Sequence, residues 1–248
     1  MNESSWFESW FNSPYYHLLY RDRDESEARP FIEGLTHHLQ LPPRAHVLDL
    51  ACGKGRHSLR LAELGYEVLG IDIAPENIAY AQQFERPGLR FQVHDMREPL
   101  DAAPFDVVLN LFTSFGYFDQ EEEHQAAIHT MASALKPEGK LVIDFLNAKY
   151  TIDRLIPKEE RTIDGIDFQI HRRTEGLQVI KEIRIRDPRN SSTEAFSEQV
   201  TAFRLEDFQR MLHKEDMEVK EVFGDYALSA FDPTESPRLI MVCTRSNH

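Results

Sequence analysis

Cysteine is nearly missing from this chain: two thiols, Cys52 and Cys243, stand among 248 residues. Two thiols so far apart make no disulfide framework. Long apolar runs are missing as well, so no segment reads as a bilayer span. The opening MNESSWFESWFNSPYY is acidic and aromatic where a secretory leader would be basic and then apolar. A cytoplasmic location is therefore expected. Positive charge is scarce: 28 Lys and Arg face 42 Asp and Glu, for a formal charge of −14. That balance repels a polyphosphate backbone, and the densest basic runs, HRR at 171–173 and RIRDPR at 184–189, are broken up by acids. Nucleic acid is not an expected partner. Histidine pairs such as His124 and His129 have neither H-E-x-x-H spacing nor cysteine company, so no metal is expected.

What is present reads as an ordinary globular chain with one sizeable core and one elaboration. Residues 1–41 give two helical pieces, WFESWFNSPYYHLLY and EARPFIEGLTHHL. From Val47, short apolar runs alternate with helical patterns: VLDLA, EVLGID, LRFQV, FDVVLNLF and KPEGKLVIDFL. Buried strands separated by helices of this length predict a Rossmann-like, doubly wound, mostly parallel α/β sheet of seven strands. After Tyr150 the pattern becomes alternating, in IDGIDFQIHRR, LQVIKEIRIRD and EAFSEQVTAF. In the second stretch Leu177, Val179, Ile183 and Ile185 share a face, which predicts an antiparallel insertion after the fifth strand. The expected organisation is a single domain over 1–248. It comprises an N-terminal helical cap (1–45), a nucleoside-binding core (46–150), the inserted sheet (151–203) and a return to the core sheet (204–248).

In open parallel sheets, ligands gather at the carboxyl ends of the strands. Asp49, Gly53 and Gly55 fall at that edge, where glycine lets the backbone bend sharply and approach a ligand. The helix that follows aims free N–H groups at the same place. Asp72 closes the second strand, where a carboxylate can accept from both hydroxyls of a ribose. The third position of the dinucleotide fingerprint is Ser58, not glycine or alanine, which weakens an NAD-dependent oxidoreductase as the alternative.

DLACGKG resembles motif I of the class I S-adenosylmethionine-dependent methyltransferases. The resemblance implies that Asp49 helps hold the methionine amino group through a turn containing Ala51, Gly53 and Gly55, and that Asp72 binds the ribose. Asp95 in VHDMREPL would accept from the adenine amino group, with Met96 and Arg97 giving backbone contacts and Ile73 packing on the ring. NLFTSFGYF is similar to the loop beside the transferred methyl in members that act on small molecules, with Leu111 next to the cofactor, and LKPEGKLVID is similar to the turn into their fifth strand. Tyr16, Tyr20 and Arg23 match part of the aromatic and basic spacing of amino-sugar N,N-dimethyltransferases, as do DMR and SFGY. By that likeness Tyr20 and Arg23 close over the methionine end.

The resemblance implies methyl transfer to a small-molecule acceptor, most naturally an amine nitrogen. A noncatalytic S-adenosylmethionine sensor is the alternative from another class. In-line displacement needs alignment and exclusion of water more than a covalent intermediate. If a base acts, the candidates are Tyr117, His171 and Tyr16. Phe112, Phe115, Tyr117 and Phe118 can be core or pocket wall. Cys52 reads as a small buried thiol, and TSFG lacks the frame of a hydrolase elbow. The exposed faces of the insertion offer a route to a homodimer.

Overall fold

The structure is a computed structural model that describes residues 6–21, 25–102, 104–189 and 193–246. The cap consists of α1 (Trp6–Phe11), α2 (Pro14–Leu19) and α3 (Glu25–Leu39). The stretch expected as one helix over 6–20 breaks at Ser13-Pro14. Proline has no N–H to give, so it fits the first turn of a new helix, and the Ser13 hydroxyl accepts from Tyr15 N at 3.2 Å.

The core then alternates as expected, with β1 (His46–Leu50), α4 (Arg56–Glu63), β2 (Glu67–Asp72), α5 (Pro75–Ala81), β3 (Leu89–Val93), β4 (Phe105–Asn110), α6 (Glu121–Ser133) and β5 (Leu135–Leu146). A short helix, α7 (Ala148–Asp153), leads into a second sheet of β6 (Lys158–Ile163), β7 (Ile166–Glu175), β8 (Gln178–Arg186) and β9 (Thr193–Thr201). The chain returns through α8 (Leu205–His213), β10 (Met217–Phe223) and β11 (Arg238–Arg245).

The first sheet has seven strands in the order β10-β11-β5-β4-β1-β2-β3, and β11 runs antiparallel to both its neighbours. Alternation along the strands feeds two cores. Leu48, Leu50, Val108, Leu141 and Ile143 meet Ile128 and Met131 of α6 and Phe208 and Leu212 of α8 on one face. Val47, Val68, Val107 and Val142 meet Ile32 and Leu35 of α3, Leu61 of α4 and Ile78 of α5 on the other. Each such side chain, fully buried, contributes about 1.5–3 kcal/mol. Because β1, β2 and β4 are adjacent and parallel, their carboxyl ends form one edge, and the site is built there.

The inserted sheet has four antiparallel strands where the sequence suggested three stretches. The extra strand is β6, KEERTI, a largely exposed edge with one strongly apolar residue. It turns into β7 through Asp164-Gly165, with φ of 51° and 79°, the backbone of a tight primed hairpin. The inner face carries Ile166, Phe168, Ile170, Ile183 and Ile185, which pack on Trp10, Tyr15 and Leu19 of the cap. Leu177, expected on that face, lies at the β7–β8 turn and is 61% exposed. Among the described residues no helix is long and apolar enough to cross a membrane.

Candidate functional site

At the carboxyl edge of β1, β2 and β4 lies a cavity of about 460 Å³, roofed by the cap. Its floor is the turn after β1. Ala51 and Gly53 both adopt left-handed backbone, at φ of 63° and 57°, and both line the cavity. For alanine that conformation is strained and persists only where the surroundings enforce it. Asp72 is one enforcer, since its carboxylate accepts from Gly53 N at 2.9 Å and Ala74 N at 2.8 Å. Beside Gly53, the space a Cβ would take is open, which leaves bare backbone facing the cavity.

Gly55 plays a different part from the one expected. It does not line the cavity, and a Cβ there would sit 2.7 Å from the Phe91 ring. With φ of 85°, it starts α4 and lets that helix lie close on β3. Asp49 is also absent from the cavity wall. It is 1% exposed and accepts from Ser58 Oγ at 2.5 Å, so Ser58 takes the place of the third fingerprint glycine by bonding, not by close approach. Burial pushes the Asp49 carboxyl up to about 6, against the pull of Ser58 and Arg56, with Asp72 adding to the rise.

That value sets a pH test. If a ligand ammonium sits near the turn, as the resemblance of DLACGKG implies, it favours the carboxylate through space, and affinity should rise with pH through about 6 as Asp49 ionises. Between pH 7.5 and pH 5 the expected loss is about threefold to tenfold by calorimetry, in line with a shift of up to about one unit on binding. Asp49→Asn should abolish most of that slope. An identical slope in the variant would mean that another group carries it.

One end of the cavity is lined by Asp72, Ile73, Asn77, Asp95 and Met96. Asn77 is 4% exposed and its Oδ1 has no hydrogen-bond partner. A buried acceptor left open beside a terminal carboxylate suits a hydroxylated ligand such as a ribose. Asp95 is held by Arg97, whose backbone N–H donates at 2.9 Å and whose guanidinium forks onto the carboxylate at 2.6–3.1 Å. Although burial acts the other way, these bonds hold the Asp95 carboxyl below its ordinary value. Arg97 does not line the cavity and its N–H is committed to Asp95, so it orients that acid instead of offering its own backbone.

The other end is walled by aromatic rings. Phe112, Tyr20, Tyr16, Phe11 and Tyr117 form a chain of edge-to-face and tilted contacts, with successive centroids 6.4, 4.9, 5.2 and 5.4 Å apart. Leu111, Thr113 and Phe118 complete this side, whereas Phe115 is fully buried in the core. The Tyr117 hydroxyl donates to Thr113 O at 2.5 Å. Tyr20 donates to Glu198 at 2.8 Å and accepts from Lys181 Nζ at 2.5 Å, and burial raises its hydroxyl well above the ordinary phenol value.

His171 lies on the exposed outer face of β7, opposite the buried Ile170, and does not reach the cavity. It leaves the set of candidate bases. Arg23 lies outside the described residues. Cys52 lines the cavity, but burial, with help from Asp49 and Asp72, pushes its thiol well above the ordinary range, so no thiolate forms.

Several cavity residues were missed in the sequence. Arg56 opens α4 with its guanidinium 5.4 Å from the Phe112 ring centroid, and His17 is lowered to about 4 by burial, with Lys54 adding to the fall. Arg56 was legible in part, as the first residue after the glycine turn. Behind the rings, Glu198 also accepts from Trp10 Nε1 at 2.6 Å and lies 3.3 Å from Lys181 Nζ, fastening the cap to the inserted sheet.

A family model described as a methyltransferase domain matches residues 47–139. The candidate methyltransferase YqeM of Bacillus subtilis (strain 168) is 30% identical over 195 residues, which cover 75% of this chain and 78% of that protein. The dTDP-3-amino-3,4,6-trideoxy-alpha-D-glucopyranose N,N-dimethyltransferase of Streptomyces venezuelae is 28% identical over 131 residues, 52% of this chain and 54% of that enzyme. Among solved structures, an S-adenosylmethionine-dependent methyltransferase from Clostridium acetobutylicum ATCC 824 shares the fold. Its TM-score is 0.79 at 18% identity, over 94% of this chain and 96% of that one.

Proposed function

Because this chain belongs to the S-adenosylmethionine-dependent methyltransferases, we propose that it moves a methyl group onto an amine nitrogen of a small molecule. The observation that carries the choice of nitrogen is the five-ring wall formed by Phe112, Tyr20, Tyr16, Phe11 and Tyr117. Aromatic faces attract cations. With an amine acceptor the positive charge passes from sulfur to nitrogen and stays within reach of those faces. With a carboxylate or phenolate it is annihilated, and the wall stabilises the ground state alone. The amino-sugar acceptor in the name of the Streptomyces relative supports the same reading.

When bound, S-adenosylmethionine supplies an electrophilic methyl on a sulfonium centre. The residues that would hold it are Asp72 and Asn77 for the ribose, Ile73, Asp95 and Met96 for the base, and the open backbone at Gly53 with Arg56 for the amino-acid end. The oxidoreductase alternative does not fit the family.

The remaining work is alignment. Tyr117 has its hydrogen committed to Thr113 O, which fixes its ring against the cavity as part of the wall that orients the acceptor. Tyr20 keeps its proton and serves as a ring and as a fastening of the cap. The amine arrives neutral, so no base is needed before bond formation. The cap helices roof the cavity and keep water from the reacting atoms.

Native mass spectrometry of freshly purified protein should show retained adenosylhomocysteine. A panel of amines, carboxylates and thiols with methyl-labelled donor should then show label on amines. Label on carboxylates or thiols alone would overturn the nitrogen assignment. Saturable donor binding without transfer across the panel would favour a noncatalytic sensor.

A further inference from the structure

The loop that follows β4 is held from beneath by a buried ion pair. Asp144, near the end of β5, is 1% exposed, and Arg238, at the start of β11, has a side chain 15% exposed. The two are joined by Arg238 Nε to Asp144 Oδ1 at 2.8 Å and Nη2 to the same oxygen at 2.7 Å. A buried pair of this kind is weak evidence of stability by itself, because desolvation opposes the attraction. Its remaining bonds point elsewhere. Asp144 Oδ2 accepts from the Tyr226 hydroxyl at 3.1 Å and from Phe112 N at 2.9 Å, and Arg238 Nη2 donates to Phe112 O at 2.5 Å and to Thr113 Oγ1 at 3.2 Å.

Both polar groups of one residue are thus gripped by one ion pair, and that residue is in a conformation it would otherwise avoid. Phe112 has φ of 81° and Thr113 has φ of 150°. Non-glycine residues in such regions cost about 1–3 kcal/mol each and persist where the surroundings over-determine them. The Phe112 ring so presented joins the aromatic wall beside Tyr20 and under Arg56.

We propose that Asp144 and Arg238 are positioning residues that hold Phe112 and Thr113 in their left-handed course, and so set the ring wall that distinguishes a sulfonium ligand from its neutral thioether product. The proposal rests on the methyltransferase reading. Its chemistry is recognition: the pair holds backbone, the backbone aims a ring, and the ring face meets the cation.

The test is Arg238→Lys, which keeps the charge beside Asp144 but loses the planar fork that reaches Phe112 O at the same time. Calorimetry with S-adenosylmethionine and with adenosylhomocysteine, alongside a thermal melt, gives the readout. The expected result is S-adenosylmethionine weakened by about fivefold or more, the scale of one lost ring–cation contact, with adenosylhomocysteine changed by less than about twofold. If the lysine variant does not fold, the double exchange Asp144→Leu with Arg238→Met removes both charges together and supports the same comparison. Equal weakening of the two ligands, or no change in either, would overturn the proposal. If the unaltered protein binds neither ligand, the donor-site reading fails first and the proposal falls with it.

Discussion

Replacing Asp72 by alanine is expected to weaken S-adenosylmethionine binding by about tenfold or more, the loss of one or two charge-assisted hydrogen bonds. The carboxylate already accepts from Gly53 N and Ala74 N. Each oxygen keeps lone-pair capacity on the side facing the cavity, which Asp72 lines next to the open Oδ1 of Asn77. Alanine removes that acceptor and also leaves two turn N–H groups without their partner. A moderate fall in melting temperature should therefore accompany the loss of affinity. Asp72→Asn, which keeps one accepting oxygen, should fall between the two proteins in both measurements. Calorimetry decides the matter: unchanged affinity in the alanine variant removes Asp72 from the site.

The second large effect is on stability. Glu198→Ala should cost about 3–5 kcal/mol, because it leaves a buried lysine without its counter-charge. For a chain of this size that corresponds to a melting temperature lower by about 10 °C. The side chains of Lys181 and Glu198 are only 12% and 14% exposed. Trp10 Nε1 and the Tyr20 hydroxyl lose their acceptor in the same stroke. Burial already lowers the Lys181 ammonium below its ordinary value despite Glu198, so removing the glutamate lowers it further. Pairing Glu198→Ala with Lys181→Met should recover part of the loss, since no buried charge then remains. A variant that melts within 2 °C of the parent, on the same scale, would show that the cap is fastened elsewhere.

The core sheet could be read from the chain because each strand is an apolar run bounded by helical spacing, as in VLDLA or EVLGID. The edge strand β6 escaped because only burial forces an alternating pattern on a sequence, and KEERTI is mostly exposed. The break at Ser13-Pro14 was present in the letters as a capping serine followed by a proline. Asp72 and Asp95 stood out as acids at strand ends. By contrast, the ion pair of Asp144 and Arg238 joins residues 94 positions apart, and Trp10 meets Glu198 across 188. No local period connects such partners; strand order brings them together. The crowding at Gly55 is invisible in the letters for a related reason, since what crowds it is Phe91 on a strand not adjacent in sequence.

The division between the two sheets has a mechanical consequence. Thr201, at the end of β9, donates its backbone N–H to Gly116 O at 2.8 Å, which stitches the inserted sheet to the chain beyond the loop at Phe112 and Thr113. The inserted sheet shares its interior with the cap through Trp10, Tyr15 and Leu19. A change on its inner face is therefore transmitted to the helix that carries Tyr16 and Tyr20 into the cavity wall, while the edge that carries Asp72 is left alone.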